Sequence, residues 1–168
     1  PKKIMTNSKF HNECLFCRKH AKLTKEHVIP NWLSKVASFG YLRVTNEITG
    51  DIPLSWDSGA FQHKAKIVCA DCNNGWMCSL EGEVQPILTD LIEFNQRILS
   101  AQDQAVLSFW VQKTMLMINE SIPNNLKITQ DIYSDIYKNQ SATKKFLVNI
   151  GWRMKYKGIS GEPIASYT

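Results

Sequence analysis

No apolar run in this 168-residue chain approaches the roughly 20 residues that cross a bilayer, so the sequence does not read as a membrane-spanning protein. The opening residues, Pro1-Lys2-Lys3-Ile4-Met5, lack the apolar core of a secretory signal. The expectation is a reducing, cytoplasmic setting, where cysteines bind metal more readily than they pair as disulfides. There is no internal repeat and no low-complexity tract, which argues against solenoid and tandem-array architectures. No recognition helix or base-reading pattern stands out. Net charge is also missing from much of the chain: residues 73–168 hold 9 Lys/Arg against 9 Asp/Glu, whereas residues 1–72 hold 11 against 6. The whole +5 excess lies with the first part. A locally basic surface favours an anionic polymer as partner, because phosphate contacts supply the sequence-independent share of nucleic-acid affinity.

What is present in that basic part is a pair of cysteine knuckles. Cys14-Leu15-Phe16-Cys17 and Cys69-Ala70-Asp71-Cys72 are two C-x2-C pairs separated by 51 residues, and together they supply the four thiolates of a tetrahedral structural zinc. The gap is longer than in compact zinc motifs, so a helix and a hairpin must fit inside it. The fifth cysteine, Cys78, is expected to be a small buried side chain. Between the knuckles stands Thr24-Lys25-Glu26-His27-Val28-Ile29-Pro30, and directly after the second stands Asn73.

The pattern predicts an α+β chain in three parts: a flexible basic arm over 1–10, a zinc-binding module over 11–80, and a mainly helical extension over 81–168 that ends in a strand. In the module, Leu23 to Ile29 reads as a strand with Glu26 and His27 on opposite faces. A helix over Asn31 to Phe39, a strand over Tyr41 to Thr49, a loop through Pro53 and Asp57-Ser58-Gly59, and a strand over Phe61 to Val68 follow. From Asn73 the period is helical, with Trp76, Leu80, Val84, Ile87, Leu88, Leu91 and Ile92 in one stripe that Pro86 is expected to break. Ser100 with Asp103 resembles an N-cap with an acid at N3, opening a helix to about Asn119 whose inward positions are Leu107, Trp110, Val111, Thr114, Met115 and Ile118. Thr129 to Asn139 reads as a shorter helix exposing Asp131, Asp135 and Lys138, and Lys145 to Tyr156 as a strand. The chain has the look of part of something longer.

The residues between and after the knuckles suit phosphodiester hydrolysis. His27, with an ordinary pKa of about 6.5, can take a proton from water at neutral pH. Glu26 and Asn73 both offer oxygen, the donor that Mg²⁺ and Mn²⁺ prefer, and so few protein ligands leave room for phosphate and water. Each has a plainer reading: His27 as a strand residue bonded to a carbonyl, Glu26 as a surface acid beside Lys25, Asn73 as a helix N-cap. Asn74 is the alternative ligand if the register differs by one. Lys25, Arg18, Lys19, Lys64 and Lys66 are the candidate phosphate contacts, and Trp56 in its loop is the aromatic that could stack on a base. His63 could act as a second base or ligand but is expected to be an exposed strand residue. His20 and His11 flank the first knuckle and are not needed for zinc while four cysteines are available.

Taken together, Cys-x2-Cys, Glu-His-Val-Ile-Pro and Cys-x2-Cys-Asn resemble the HNH endonuclease superfamily in its zinc-containing, endonuclease VII-like form, over roughly residues 11–80. The resemblance implies a treble-clef-like ββα-metal module in which zinc (Cys14, Cys17, Cys69, Cys72) joins hairpin to helix. It further implies a DNA endonuclease in which His27 is the general base and Glu26 and Asn73 hold a catalytic Mg²⁺ or Mn²⁺. Two departures stand out: Glu26 where the resolvases of this type carry Asp, and His63-Lys64 where the middle asparagine is expected. A phage or defence-related setting, a homodimer or a larger defence or toxin assembly is compatible with it, and RNA is not excluded as substrate. The rival from another class is a non-catalytic zinc module that binds nucleic acid or a protein partner.

Overall fold

The structure, a computed structural model, describes residues 12–37, 41–46, 54–59, 62–121 and 127–148, with only the backbone course for 41–46 and 54–59. The expected N-terminal arm therefore lies outside the described residues, as do Phe39, Gly40, Phe61 and residues 149–168. In chain order the elements are β1 (Leu23–His27), α1 (Leu33–Val36), β2 (Tyr41–Asn46), β3 (Leu54–Gly59), β4 (Lys64–Cys69), α2 (Ala70–Cys72), a wider π-type turn over Asn73–Met77, α3 (Cys78–Ile92), α4 (Ala101–Ser121) and α5 (Gln130–Asn139). The fold is mixed α+β. β1 pairs antiparallel with β4, and β2 with β3, as two separate two-stranded ribbons. The stretch over Asp57-Ser58-Gly59, expected to be a loop, is thus part of β3, and Trp56 lies opposite Val44 within that ribbon.

The β1–β4 ribbon is the frame of the site, and one irregularity governs it. Thr24 faces Val68 and Glu26 faces Ala65, so Lys66 and Ile67 together oppose Lys25. Such a bulge shifts the phase of the bulged strand. Ala65 and Val68, three apart, are consequently both buried, where strict alternation would have placed them on opposite faces. The bulge also redirects a carbonyl: Ile67 O accepts from the Leu15 N–H at 2.8 Å, which seats the first knuckle on the ribbon.

Helix boundaries depart from expectation for identifiable reasons. α1 is a single turn rather than the expected helix to Phe39. Pro86 does not break α3, which runs through it to Ile92. Both Pro86 and Gly82, whose carbonyl loses its partner to the proline, lie on the exposed face, so water satisfies what the ring removes. The break comes instead at Gly75, with φ −92° and ψ −115°. This kink rotates the helix so that Trp76, Met77, Leu80, Val84 and Ile87 face inward while Cys78 is exposed rather than buried. At the start of α4 the expected cap is present: Asp103 N–H donates to Ser100 Oγ at 3.1 Å, and Ser100 N–H donates back to Asp103 Oδ2 at 3.0 Å. Within α4, Leu107, Trp110 and Thr114 are buried as expected, Val111 and Ile118 are half-buried, and Met115 faces solvent. No strand begins at Lys145 among the described residues; Lys145 pairs with Asp131, and Phe146 O and Thr143 O accept from the buried Gln112 amide.

One core spans the ribbon, knuckle and helices, and α3 crosses from the module into the extension without interruption. Phe16 of the first knuckle meets Trp76 edge-on at 5.1 Å, Trp76 stacks on Phe109 of α4 at 5.5 Å, and Phe16 also reaches Tyr133 of α5 at 6.2 Å. The Tyr133 hydroxyl donates to Glu120 Oε1 at 2.6 Å, and Gln130 Nε2 donates to Leu15 O at 3.1 Å. The extension is thereby fastened to the knuckle. Tyr133→Phe keeps the ring and removes the bond to the Glu120 carboxylate together with the longer one accepted from Asn119 Nδ2 at 3.4 Å, so an expected loss of about 1–2 kcal/mol follows, read as a lower urea midpoint at unchanged m-value.

Candidate metal centre and catalytic strand

The two knuckles converge. The Sγ atoms of Cys14, Cys17, Cys69 and Cys72 all lie within 4.8 Å of one another, and Cys17 Sγ is 3.7 Å from Cys69 Sγ. A tetrahedral zinc with Zn–S bonds of about 2.3 Å sets sulfurs about 3.8 Å apart, so the cluster matches a structural metal such as zinc. Cys14, Cys69 and Cys72 are buried and Cys17 is half-buried, as a closed structural site requires. The first knuckle turns tightly through Arg18, whose φ of 61° is left-handed, while Cys14 N–H donates to Lys19 O and Arg18 N–H to Cys14 O, each at 3.0 Å. Packed this closely, the thiols share protons unequally. Hydrogen bonding from Cys72 holds Cys14 down to about 4, whereas burial pushes Cys17 up to about 11 and the bond to Cys14 pushes Cys72 up. The donor set is that of four thiolates around one soft cation, which would replace those shared protons. His20 is exposed and joins Glu13 only through a backbone bridge, and His11 lies outside the described residues.

The ribbon carries Glu26 from one side and the helix carries Asn73 from the other, next to the cysteine cluster. Asn73 is not an N-cap: the helix already begins at Ala70, with Cys69 before it. Its amide instead donates to Thr24 Oγ1 at 3.3 Å, two residues before Glu26 on β1. Asn74, one residue on, is exposed. Burial pushes the Glu26 carboxyl up, the Asn73 amide draws it back, and the nearby charge of Glu81 pushes it further up. His27 pairs across the ribbon with Lys64 and is half-buried. Burial, then the Lys64 charge, holds its imidazole below the ordinary value, against the pull of Glu81. The neutral ring is the form that accepts a proton.

Among the candidate phosphate contacts, Lys19, Lys25, Lys64 and Lys66 are exposed. Arg18 is otherwise engaged: its guanidinium pairs with Glu13 Oε2 at 2.7 Å and donates to Gln130 Oε1 at 3.1 Å. His63 is half-buried rather than exposed, with Nε2 2.9 Å from Ser121 Oγ at the end of α4. It ties ribbon to extension. Sequence reasoning passed over two further residues, Glu81 and Lys113. Lys113 Nζ lies 3.2 Å from Glu81 Oε1, and the lysine side chain is 0% exposed. Its one signal was position: Lys113 falls in phase with Val106, Trp110 and Met117, on the apolar face of α4.

No helix among the described residues is long and apolar enough to cross a membrane. No protein-family model, no curated protein and no solved structure matches this chain.

Proposed function

We propose that this chain is an HNH-type, zinc-stapled ββα-metal endonuclease that hydrolyses DNA phosphodiester bonds with Mg²⁺ or Mn²⁺. The observation that carries the reading is that Asn73, directly after the cysteine cluster, reaches β1 at Thr24 Oγ1 (3.3 Å), on the strand that carries Glu26 and His27 two and three residues further on. Glu26 and Asn73 form an oxygen donor set suited to a hard divalent cation. When bound, that ion supplies positive charge to the scissile phosphate and the leaving oxygen. His27 takes the proton from the attacking water, and Lys64 beside it contributes charge to the phosphate. The zinc cluster does no chemistry; it fixes the angle between β1 and the helix that carries Asn73.

The test is nicking of supercoiled plasmid by zinc-loaded protein with added Mg²⁺ or Mn²⁺ and in divalent-depleted buffer. Cleavage that requires the added ion supports the reading. Binding of the plasmid without cleavage under every divalent condition overturns it in favour of a non-catalytic zinc module. Lys64 and Lys66 are both exposed on β4, and their joint replacement by alanine is expected to weaken DNA binding at all sequences. The slope of log K against log salt should fall by about 2, one counterion for each phosphate that a lysine no longer neutralises. An unchanged slope would place the phosphate track elsewhere.

A further inference from the structure

A fully buried lysine needs an anion beside it, because an ammonium taken out of water without a partner costs several kcal/mol or gives up its proton. Lys113 has its hydrogen bond with Glu81, 3.2 Å away on α3, and the second carboxylate whose charge acts on it is Glu26. Glu26 in turn is half-buried, two residues along β1 from Thr24, which accepts from the Asn73 amide. The buried ammonium is thus hydrogen-bonded to one acid, Glu81, and within electrostatic reach of a second, Glu26, and only Glu26 belongs to the proposed catalytic set. We infer that Glu81 is a positioning residue: by holding the Lys113 ammonium it keeps that cation off Glu26, whose carboxylate then stays available, with Asn73, to the divalent ion.

This inference rests on the nuclease reading above. Its physical content is a competition. Without the charge of Glu81, the ammonium remains buried on α4 and turns to the one other carboxylate acting on it, so it competes with the divalent ion for Glu26. Glu81→Gln keeps the size of the side chain and an acceptor oxygen, and its side chain is 20% exposed, so the fold should tolerate the change. Removing the ammonium as well, in Glu81→Gln/Lys113→Met, ends the competition.

The experiment is Mn²⁺ binding to the zinc-loaded full chain without DNA, followed by the EPR signal of free Mn²⁺, with plasmid nicking measured in parallel. Glu81→Gln is expected to weaken Mn²⁺ binding by about 10–100-fold, the usual cost of losing an outer-shell partner, and Glu81→Gln/Lys113→Met to recover most of it. A purely structural defect, the unpaired buried ammonium, would also be relieved by the double change, so thermal melting is read beside binding: the inference expects the Mn²⁺ affinity of Glu81→Gln to fall while the chain is still fully folded, and a loss that only tracks the unfolded fraction overturns it. Glu81→Gln with wild-type Mn²⁺ affinity would overturn the inference, as would a double variant as weak as the single one. If Glu81→Gln does not fold, the charge-keeping but shorter Glu81→Asp takes its place, with the same direction and a smaller change expected. A wild-type chain that neither binds Mn²⁺ nor nicks removes the nuclease reading and the inference together. One that does both, while Glu81→Gln does the same, removes the inference alone.

Discussion

Cys69→Ser is expected to unfold the joint between the β1–β4 ribbon and the helix after it, whereas Cys78→Ser leaves stability within about 0.5 kcal/mol of the parent. The contrast follows from position. Cys69 is buried at the end of β4, immediately before α2, and its N–H donates to Cys14 Sγ at 3.4 Å; Cys78 is exposed and outside the cluster. In small zinc domains the bound metal contributes about 10–16 kcal/mol to folding, as much as the total stability of a typical domain, about 5–15 kcal/mol. A site with three thiolates keeps only part of that contribution. The measurements are metal content by mass spectrometry, expected at one zinc per parent chain, and thermal unfolding of each variant. Trp76 reports locally, because it follows the second knuckle by four residues and packs edge-on against Phe16 of the first, so its fluorescence should change in step with zinc loss. Equal stability of the two serine variants would mean that the four sulfurs are ordinary thiols that happen to be close.

The knuckles were legible in the sequence because a C-x2-C pair is a local device, and the cluster needs only that the two pairs meet. That Asn73 lies against β1, as its bond to Thr24 shows, follows for the same reason: each is tied by sequence to one knuckle-bearing element. The bulge at Lys66-Ile67 was not, since nothing in Lys64 to Cys69 marks an extra residue until the partner strand is placed beside it. Pro86 misled because its cost depends on whether the freed carbonyl meets water, which is a property of the face and not of the residue. Lys113 was missed because lysine in a helix is usually solvated. Its burial follows from Glu81, 32 positions away in sequence, and no periodicity within α4 announces that partner. The tyrosine and histidine contacts of the extension, Tyr133 with Glu120 and His63 with Ser121, are likewise products of tertiary packing.

His27→Ala is expected to reduce nicking by about 10²–10⁴-fold, the usual contribution of a positioned general base, while leaving DNA affinity and the melting temperature close to those of the parent. The separation of the two effects is a consequence of how the ring is held. Its imidazole makes no hydrogen bond to the described residues and is half-exposed, so its removal orphans no buried partner and opens no large cavity. A loss of that size corresponds to about 3–5 kcal/mol of transition-state stabilisation, far above what a half-exposed surface histidine contributes to stability. A residue that merely braces the strand would show the reverse, a lower melting temperature with activity falling only as the folded fraction falls. Circular dichroism and single-turnover nicking at saturating DNA and Mn²⁺ distinguish the cases, because saturation removes any contribution from weakened binding. If the folded His27→Ala chain nicks as fast as the parent, His27 is not the base, and His63, the other described histidine of the ribbon region, becomes the next group to replace, with Ser121 as the partner that would set its tautomer.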